Sequence, residues 1–371
     1  MLSEPKKVGD MWECPAIDHG VTIFPDGRIR PCCQTSAEYS KPLSEITNPA
    51  RFQDLKSFDN PSACKSCWSK EQQGFDSYRG TYQTKVTNAD GIQFLDLRHS
   101  NQCNLKCRYC NPHFSNQWAK ELSYPITLQQ SKFDDYLDHL LTKHLVEIYW
   151  CGGEPLINSD HYNMLEILIA NGLSNNIKLR YNTNFTVIQY KDKNVFDLWQ
   201  QFKSVSLSIS VDAVGEISNY IRSGSDWDTI STNIDLTLEK IEKNHKISIS
   251  LSPVVSLLSV WTLPELYKYA ERKKISVNPI LLHGPDYLSL MAIHTKLKPL
   301  AISTLNSIRN QLGKNYDQFM SQLNEDDNEY LFNHALRHIL LLDKLRQEKL
   351  FELLPFQQLA IELTLKNYEY E

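Results

Sequence analysis

The stretch Cys103-Asn104-Leu105-Lys106-Cys107-Arg108-Tyr109-Cys110 decides how the chain is read. Its three cysteines, spaced CxxxCxxC, directly follow an apolar run, Ile92 to Leu97, that reads as a β-strand. The motif therefore occupies the loop at a strand's C-terminal end. Three thiolates from one loop can hold a cubane iron–sulfur cluster at three of its four irons, leaving the fourth open. Soft thiolate donors favour iron–sulfur or zinc over hard cations. Closed structural sites normally have four ligands, so three point to a reactive centre. A zinc site completed by His99 or His113 is the rival reading.

Downstream of the motif, strand-like runs alternate with amphipathic stretches. The strands are Ile92 to Leu97, Val146 to Cys151, Ile177 to Tyr181, Val205 to Val211, Ile247 to Ser252 and Ser276 to Leu282. Helices are expected near 130–144, 159–172, 194–202, 227–244 and 262–273. Six strands with intervening helices predict an α/β fold, with right-handed crossovers curling a parallel sheet into a partial (β/α)6, TIM-like barrel over residues 91–290. Chemistry in such barrels sits at the C-terminal strand ends. Residues 291–371 read as a C-terminal helical extension, with helical spacing in Leu300 to Leu312 and Tyr330 to Leu354. Glu325-Asp326-Asp327 reads as a solvated linker.

Upstream, residues 1–90 read as a small Cys-rich β-hairpin domain. Val21 to Phe24 and Arg28 to Cys32 flank the turn Pro25-Asp26-Gly27. Too few apolar runs follow to build a core, so a metal staple or a neighbour is expected. Cys14, Cys32, Cys64 and Cys67 form a second set of four thiolates. Cys33 competes with Cys32 as ligand, or is free as a hydrogen-atom or thiolate donor, or is an inert thiol; Cys151 reads as a small residue under the turn that follows its strand, with a position facing the barrel interior as the alternative.

The chain of 371 residues has 41% hydrophobic and 22% charged residues, ordinary for a globular protein. A net charge of −5 disfavours a nucleic-acid-coating role. No apolar run is long enough to span a membrane and the N-terminus lacks an apolar signal core, so a cytoplasmic location is expected. Nine cysteines, an odd number, suit metal better than a disulfide framework.

The CxxxCxxC loop after the first barrel strand resembles that of the radical S-adenosylmethionine (radical SAM) superfamily, and further motifs match in order. Trp150-Cys151-Gly152-Gly153-Glu154-Pro155 looks like the family's GGEP turn, which implies that Gly152, Gly153 and Glu154 bind the methionine amino group. Thr183-Asn184 resembles the family's Thr-Asn-Gly, with Phe185 in place of glycine; this implies a SAM contact at Asn184. Ser208-Ile209-Ser210-Val211-Asp212 resembles the fourth-strand end, and implies that Ser210 and Arg222 grip the SAM carboxylate. Tyr109 would flank the adenine. By resemblance, Cys103, Cys107 and Cys110 hold a [4Fe–4S] cluster that cleaves SAM to a 5′-deoxyadenosyl radical. An electron donor of the flavodoxin or ferredoxin type is implied.

The set Cys14, Cys32, Cys64 and Cys67 resembles the auxiliary-cluster domains of such enzymes, called SPASM and, in shorter form, twitch. That implies a second [4Fe–4S] cluster, with zinc as the rival. In relatives this domain follows the barrel; here it precedes it. The resemblance implies modification of a peptide or protein, with the oxidation or rearrangement of a small polar metabolite as the alternative. His283, after the sixth strand, is a candidate catalytic base, as Cys33 is a candidate donor. Asp96 and Arg98 read as structural or SAM-adjacent.

Overall fold

A computed structural model describes residues 7–8, 11–12, 14–57, 62–72, 74–243, 246–325, 329–349 and 353–354. Nine strands form one sheet: β1 Gly20–Ile23, β2 Arg28–Arg30, β3 Lys41–Pro42, β4 Phe94–Leu97, β5 Glu147–Trp150, β6 Lys178–Thr183, β7 Ser204–Ile209, β8 Ile247–Leu251 and β9 Ser276–Val277. Their spatial order is β9-β8-β7-β6-β5-β4-β1-β2-β3. Every pairing from β9 through β1 is parallel, and the last two are antiparallel. This is the partial TIM-like α/β barrel that the strand pattern predicts.

The hairpin does not stand apart from the barrel. Strand β1 pairs in parallel with β4, from Gly20 opposite Phe94 to Ile23 opposite Leu97. The sheet thus runs across position 90, and the N-terminal segment supplies the barrel's edge.

Side chains alternate across the strands and divide the sheet into two environments. Leu95, Leu97, Ile148, Trp150, Leu179, Tyr181, Val205, Leu207 and Ile209 share one core with the covering helices. Those helices are α1 Ser159–Ala170, α2 Val195–Trp199, α3 Trp227–Lys243 and α4 Leu263–Lys273. Each fully buried large side chain here contributes about 1.5–3 kcal/mol. The opposite, inner face carries Asp96, Glu147, Tyr149, Arg180, Asn182, Ser206 and Ser208. The barrel therefore has a polar lumen.

Three expected elements differ from the observed ones. The stretch near 130–144 holds only a 3₁₀ turn, Asp134–Tyr136, and one short helix, Leu137–Leu140. There the Thr142 hydroxyl donates to the Ile92 carbonyl (3.4 Å), and the chain turns into β5. The sixth barrel strand is split at Asn278-Pro279, because proline offers no N–H to the ladder. Its halves, Ser276–Val277 and Ile280–Leu281, pair with β8 and with Val254–Val255. The expected helix Leu300 to Leu312 breaks at Ile308 into Lys298–Ser307 and Arg309–Leu312.

The C-terminal helix α5, Glu329–Arg346, packs Phe332, Leu336 and Ile339 into a second core with Leu257, Leu258, Leu288 and Leu290. Asp326 and Asp327 of the expected linker lie outside the described residues. No helix among the described residues is long and apolar enough to cross a membrane.

Candidate functional site

The cysteine loop is pinned from all sides at the C-terminal end of β4. Its backbone N–H groups at Lys106 and Arg108 donate to the carbonyls of Ser223 (2.8 Å) and Ile221 (2.9 Å). The Cys103 N–H donates to Asn116 Oδ1 (2.9 Å), and Trp118 Nε1 donates to the Cys107 carbonyl (2.9 Å). Asn184 Nδ2 donates to Asn104 Oδ1 (2.9 Å), tying the loop to the end of β6. The three thiols are neighbours. Burial chiefly, and then the adjacent Cys107, push the Cys110 thiol up to about 12; Cys103 is raised by the same causes in the same order. Ligand thiolates must shed these protons on loading, so binding releases them. Among the described residues, no three Cys, His, Asp or Glu groups converge as a single metal ion requires.

The turn after β5 lies against this loop. Gly152 and Gly153 have φ of +83° and +54°, the region where glycine carries no side-chain penalty. A Cβ on Gly153 would stand 2.1 Å from the Gln102 carbonyl oxygen, and one on Gly152 would stand 2.9 Å from Arg98 Cα. The pair thus lets two backbones touch. Glu154 is buried and accepts three hydrogen bonds, from the Leu156 N–H (3.0 Å), Thr183 Oγ1 (2.7 Å) and the Asn184 N–H (2.6 Å). It sews the turn to the end of β6. Burial outweighs these donors and pushes its carboxyl up to about 7. Phe185, in the glycine position of the expected motif, keeps a left-handed backbone at φ 57°. Its ring is fully buried and Asn233 Nδ2 donates to its carbonyl (2.9 Å).

Beyond β7, Asp212 gathers the groups expected to face SAM. It is fully buried, and Arg222 meets it through Nε (2.9 Å) and Nη2 (3.1 Å). Tyr109 donates its phenol proton to Asp212 (2.6 Å), and the Val254 N–H donates to it (2.7 Å). Arg222 Nη1 also points at the Cys107 sulfur (3.8 Å). Arg222 is thus engaged by a carboxylate of the chain itself. Sequence reasoning missed Asp212 as a site residue, although it stood at the quoted strand end. Ser210 is half-buried beside it, its N–H donating to the Thr183 carbonyl (2.8 Å).

A clamp from α5 was also missed. The Arg108 side chain is fully buried between Asp343 (2.5 Å) and Glu348, and donates from Nε to the Tyr220 carbonyl (3.0 Å). Arg346 donates to Glu121 (2.7 Å) and to the Lys106 carbonyl (2.9 Å). Arg108 inside the motif was visible, but its carboxylate partners lie over 200 residues away, beyond local spacing rules.

The second cysteine set surrounds a small cavity of about 20 Å³ lined by Cys14, Cys32, Cys64, Cys67, Trp68, Arg79 and Tyr82, among others. Gly20 makes this possible: a Cβ there would lie 2.3 Å from the Pro31 carbonyl oxygen, so the Cys14 and Cys32 segments can close up. Burial pushes the Cys14 and Cys64 thiols up to about 12. Cys33 is not part of the lining. It is turned toward Asp96 and Arg98, whose charges act on it, and accepts from Gln34 Nε2 (3.7 Å). Buried Cys151 donates to the same Asp96 (3.4 Å). His283 is exposed, and no contact among the described residues links it to the cysteine loop.

Residues 97–267 match the family model described as the radical SAM superfamily. An uncharacterised protein of Methanocaldococcus jannaschii is 26% identical over 61% of this chain and 73% of its own length. A GTP 3′,8-cyclase of Desulforamulus reducens is 24% identical over 41% of this chain and 46% of its own. Among solved structures, anSMEcpe with bound AdoMet is similar at 21% identity and a TM-score of 0.42, covering 68% of this chain and 64% of that one. The chain thus spans just under two thirds of that structure. The family match supports an enzyme that binds S-adenosylmethionine and a [4Fe–4S] cluster. The residues present fit that cluster: three neighbouring thiols share one loop and none is in a disulfide, so each can take one iron.

Proposed function

We propose, from the premise that residues 97–267 are a radical SAM domain, that this enzyme generates a radical at the barrel mouth and removes hydrogen from a small polar substrate in the lumen. Cys103, Cys107 and Cys110 would hold the cluster, and the Gly152–Glu154 turn, Asn184, Ser210 and Arg222 the SAM. With both bound, the reduced cluster supplies the electron that splits SAM into methionine and a 5′-deoxyadenosyl radical.

The chain's own residues bind and orient. Arg222, held by Asp212, keeps a cation beside the Cys107 thiolate and favours its charged form. Tyr109 is fixed by the same carboxylate and walls the site. Glu154 holds the turn closed over the cysteine loop.

The polar lumen carries the substrate reading. The sequence resemblance put peptide or protein modification first. An inner face of alternating serines and charged groups, walled by the N-terminal segment, favours the small polar alternative. The cyclase relative, by its name, acts on GTP, itself a small polar molecule. Cys14, Cys32, Cys64 and Cys67 would hold the auxiliary cluster, because the four thiols line one cavity and can each take one iron of a cubane. Cys32 faces that cavity and its neighbour Cys33 faces the lumen side, so one peptide bond separates the two. A cluster held there would supply a one-electron acceptor on the far side of the Cys32–Cys33 peptide from the lumen.

The test follows 5′-deoxyadenosine formed by the reduced, reconstituted enzyme with SAM. Stimulation by a fraction of small polar metabolites is expected. Stimulation by a peptide fraction alone would return the reading to peptide modification.

A further inference from the structure

Two arginines on the inner face have hydrogen-bonding edges that the described residues leave free. Asp96, Tyr149 and Arg180 are register partners on β4, β5 and β6, so they share one level of the lumen. Arg98, one residue past β4, folds back onto this level. Its Nε donates to both oxygens of Asp96 (3.0 and 3.2 Å), and its guanidinium carbon lies 5.6 Å from the Tyr149 ring centroid. The Arg180 guanidinium carbon lies 4.7 Å from the same centroid, and its Nη1 donates to Glu147 (2.9 Å).

Each arginine is thus oriented by one carboxylate and stacked on a shared ring. Both Nη atoms of Arg98, and Nε and Nη2 of Arg180, have no partner among the described residues. Each side chain keeps 29% exposure, so these edges face open space. The charges do not balance within the cluster. Lys85 also donates to Glu147 (2.7 Å), so three cations meet two carboxylates. An excess cation in a partly dehydrated site is stabilised by an anion. Tyr78 completes the wall, since Arg98, Arg180 and Asp96 all act on its phenol.

We propose that Arg98 and Arg180 form an anion subsite in the lumen, below the Gly152-Gly153 turn, that holds a carboxylate or phosphate group of the substrate. The inference rests on the reading of the lumen as substrate chamber. Planar guanidiniums suit both groups, because either offers paired oxygens to the fork of N–H donors. Asp96, which sequence alone marked as structural or SAM-adjacent, is the positioning residue for Arg98. The subsite lies three residues before Gly152 along β5, deeper than the turn assigned to SAM.

The test uses the full-length reconstituted protein in equilibrium dialysis against labelled inorganic phosphate and, separately, labelled succinate. SAM binding is measured in parallel. Wild type is expected to bind one of the anions saturably, at one per chain. Arg98→Gln and Arg180→Gln are each expected to weaken that binding about tenfold or more, as lost charge-assisted bonds do, with SAM affinity kept. Preference for phosphate points to a phosphorylated substrate, and preference for succinate to a carboxylate. A check independent of mutant folding is phenylglyoxal labelling of wild type mapped by mass spectrometry, in which the bound anion should protect Arg98 and Arg180. The absence of saturable binding, unprotected arginines, or loss of SAM affinity in step with anion affinity would overturn the subsite. Anion binding that persists in a protein unable to cleave SAM would instead count against the radical reading alone.

Discussion

Replacing Gly153 with alanine would set a Cβ 2.1 Å from the carbonyl oxygen of Gln102 and 2.7 Å from its carbonyl carbon. Both obstacles are backbone atoms, so no rotamer relieves them. Gln102 precedes Cys103, and its carbonyl also accepts the Glu154 N–H at 2.7 Å. The turn and the cysteine loop must therefore separate together. Gly172 supplies the control: its φ of +69° is also left-handed, but a Cβ there meets nothing within 4 Å. Gly172→Ala should cost only the backbone term, about 1 kcal/mol. Gly153→Ala should add displaced-backbone strain, for a total of about 3 kcal/mol. Urea unfolding gives the stabilities, and 5′-deoxyadenosine formation reads the site. Gly153→Ala should lose SAM cleavage by about a hundredfold or more, since small misplacements of reacting groups cost that much. Equal stabilities for the two variants, with cleavage intact in both, would refute the close-approach argument.

Three further outcomes follow from the same structure. The Glu154 carboxyl is pushed up to about 7 by burial, above its unfolded value, so the folded chain holds the extra proton between those limits. Stability should then fall as pH rises through about 4.5 to 7, by at most about 3 kcal/mol; a urea-midpoint series on Glu154→Gln that kept the same slope would contradict this. Arg108→Met should cost about 3–5 kcal/mol by stranding Asp343 and Glu348, measured by denaturant unfolding, and a neutral result would show that the clamp carries no load. Phe185→Gly relieves a left-handed residue but empties a fully buried ring site, so calorimetry should show a net loss of about 2–4 kcal/mol; a gain would mean that backbone strain dominates there.

The barrel and its two cysteine sets were legible because their rules are local. Strand runs such as Val205 to Val211 and loops such as Cys103 to Cys110 declare themselves over a few residues. The GGEP-like turn was legible because only glycine permits the backbone contacts that Gly152 and Gly153 make. What stayed hidden depends on distance along the chain. Arg108 meets Asp343, Arg346 reaches Lys106, and Cys33 turns to Asp96; no spacing rule connects such pairs. The parallel pairing of β1 with β4 was also hidden, since a hairpin shows its own partner and not its third neighbour. One sign was available and unused. Parallel strands covered on both faces read as continuous apolar runs, yet Lys178-Leu179-Arg180-Tyr181 and Ser204-Val205-Ser206-Leu207-Ser208 alternate. That alternation already announces a polar lumen.

The most direct measurement counts iron and sulfide per chain after anaerobic reconstitution, in wild type and in the Cys103→Ala/Cys107→Ala/Cys110→Ala variant. Each reduced sample is then incubated with SAM. Two cubane sites predict about eight irons in wild type and about four in the variant, with 5′-deoxyadenosine made by wild type alone. Stoichiometric zinc in place of iron, or nucleoside formation that survives loss of the three cysteines, would contradict the account.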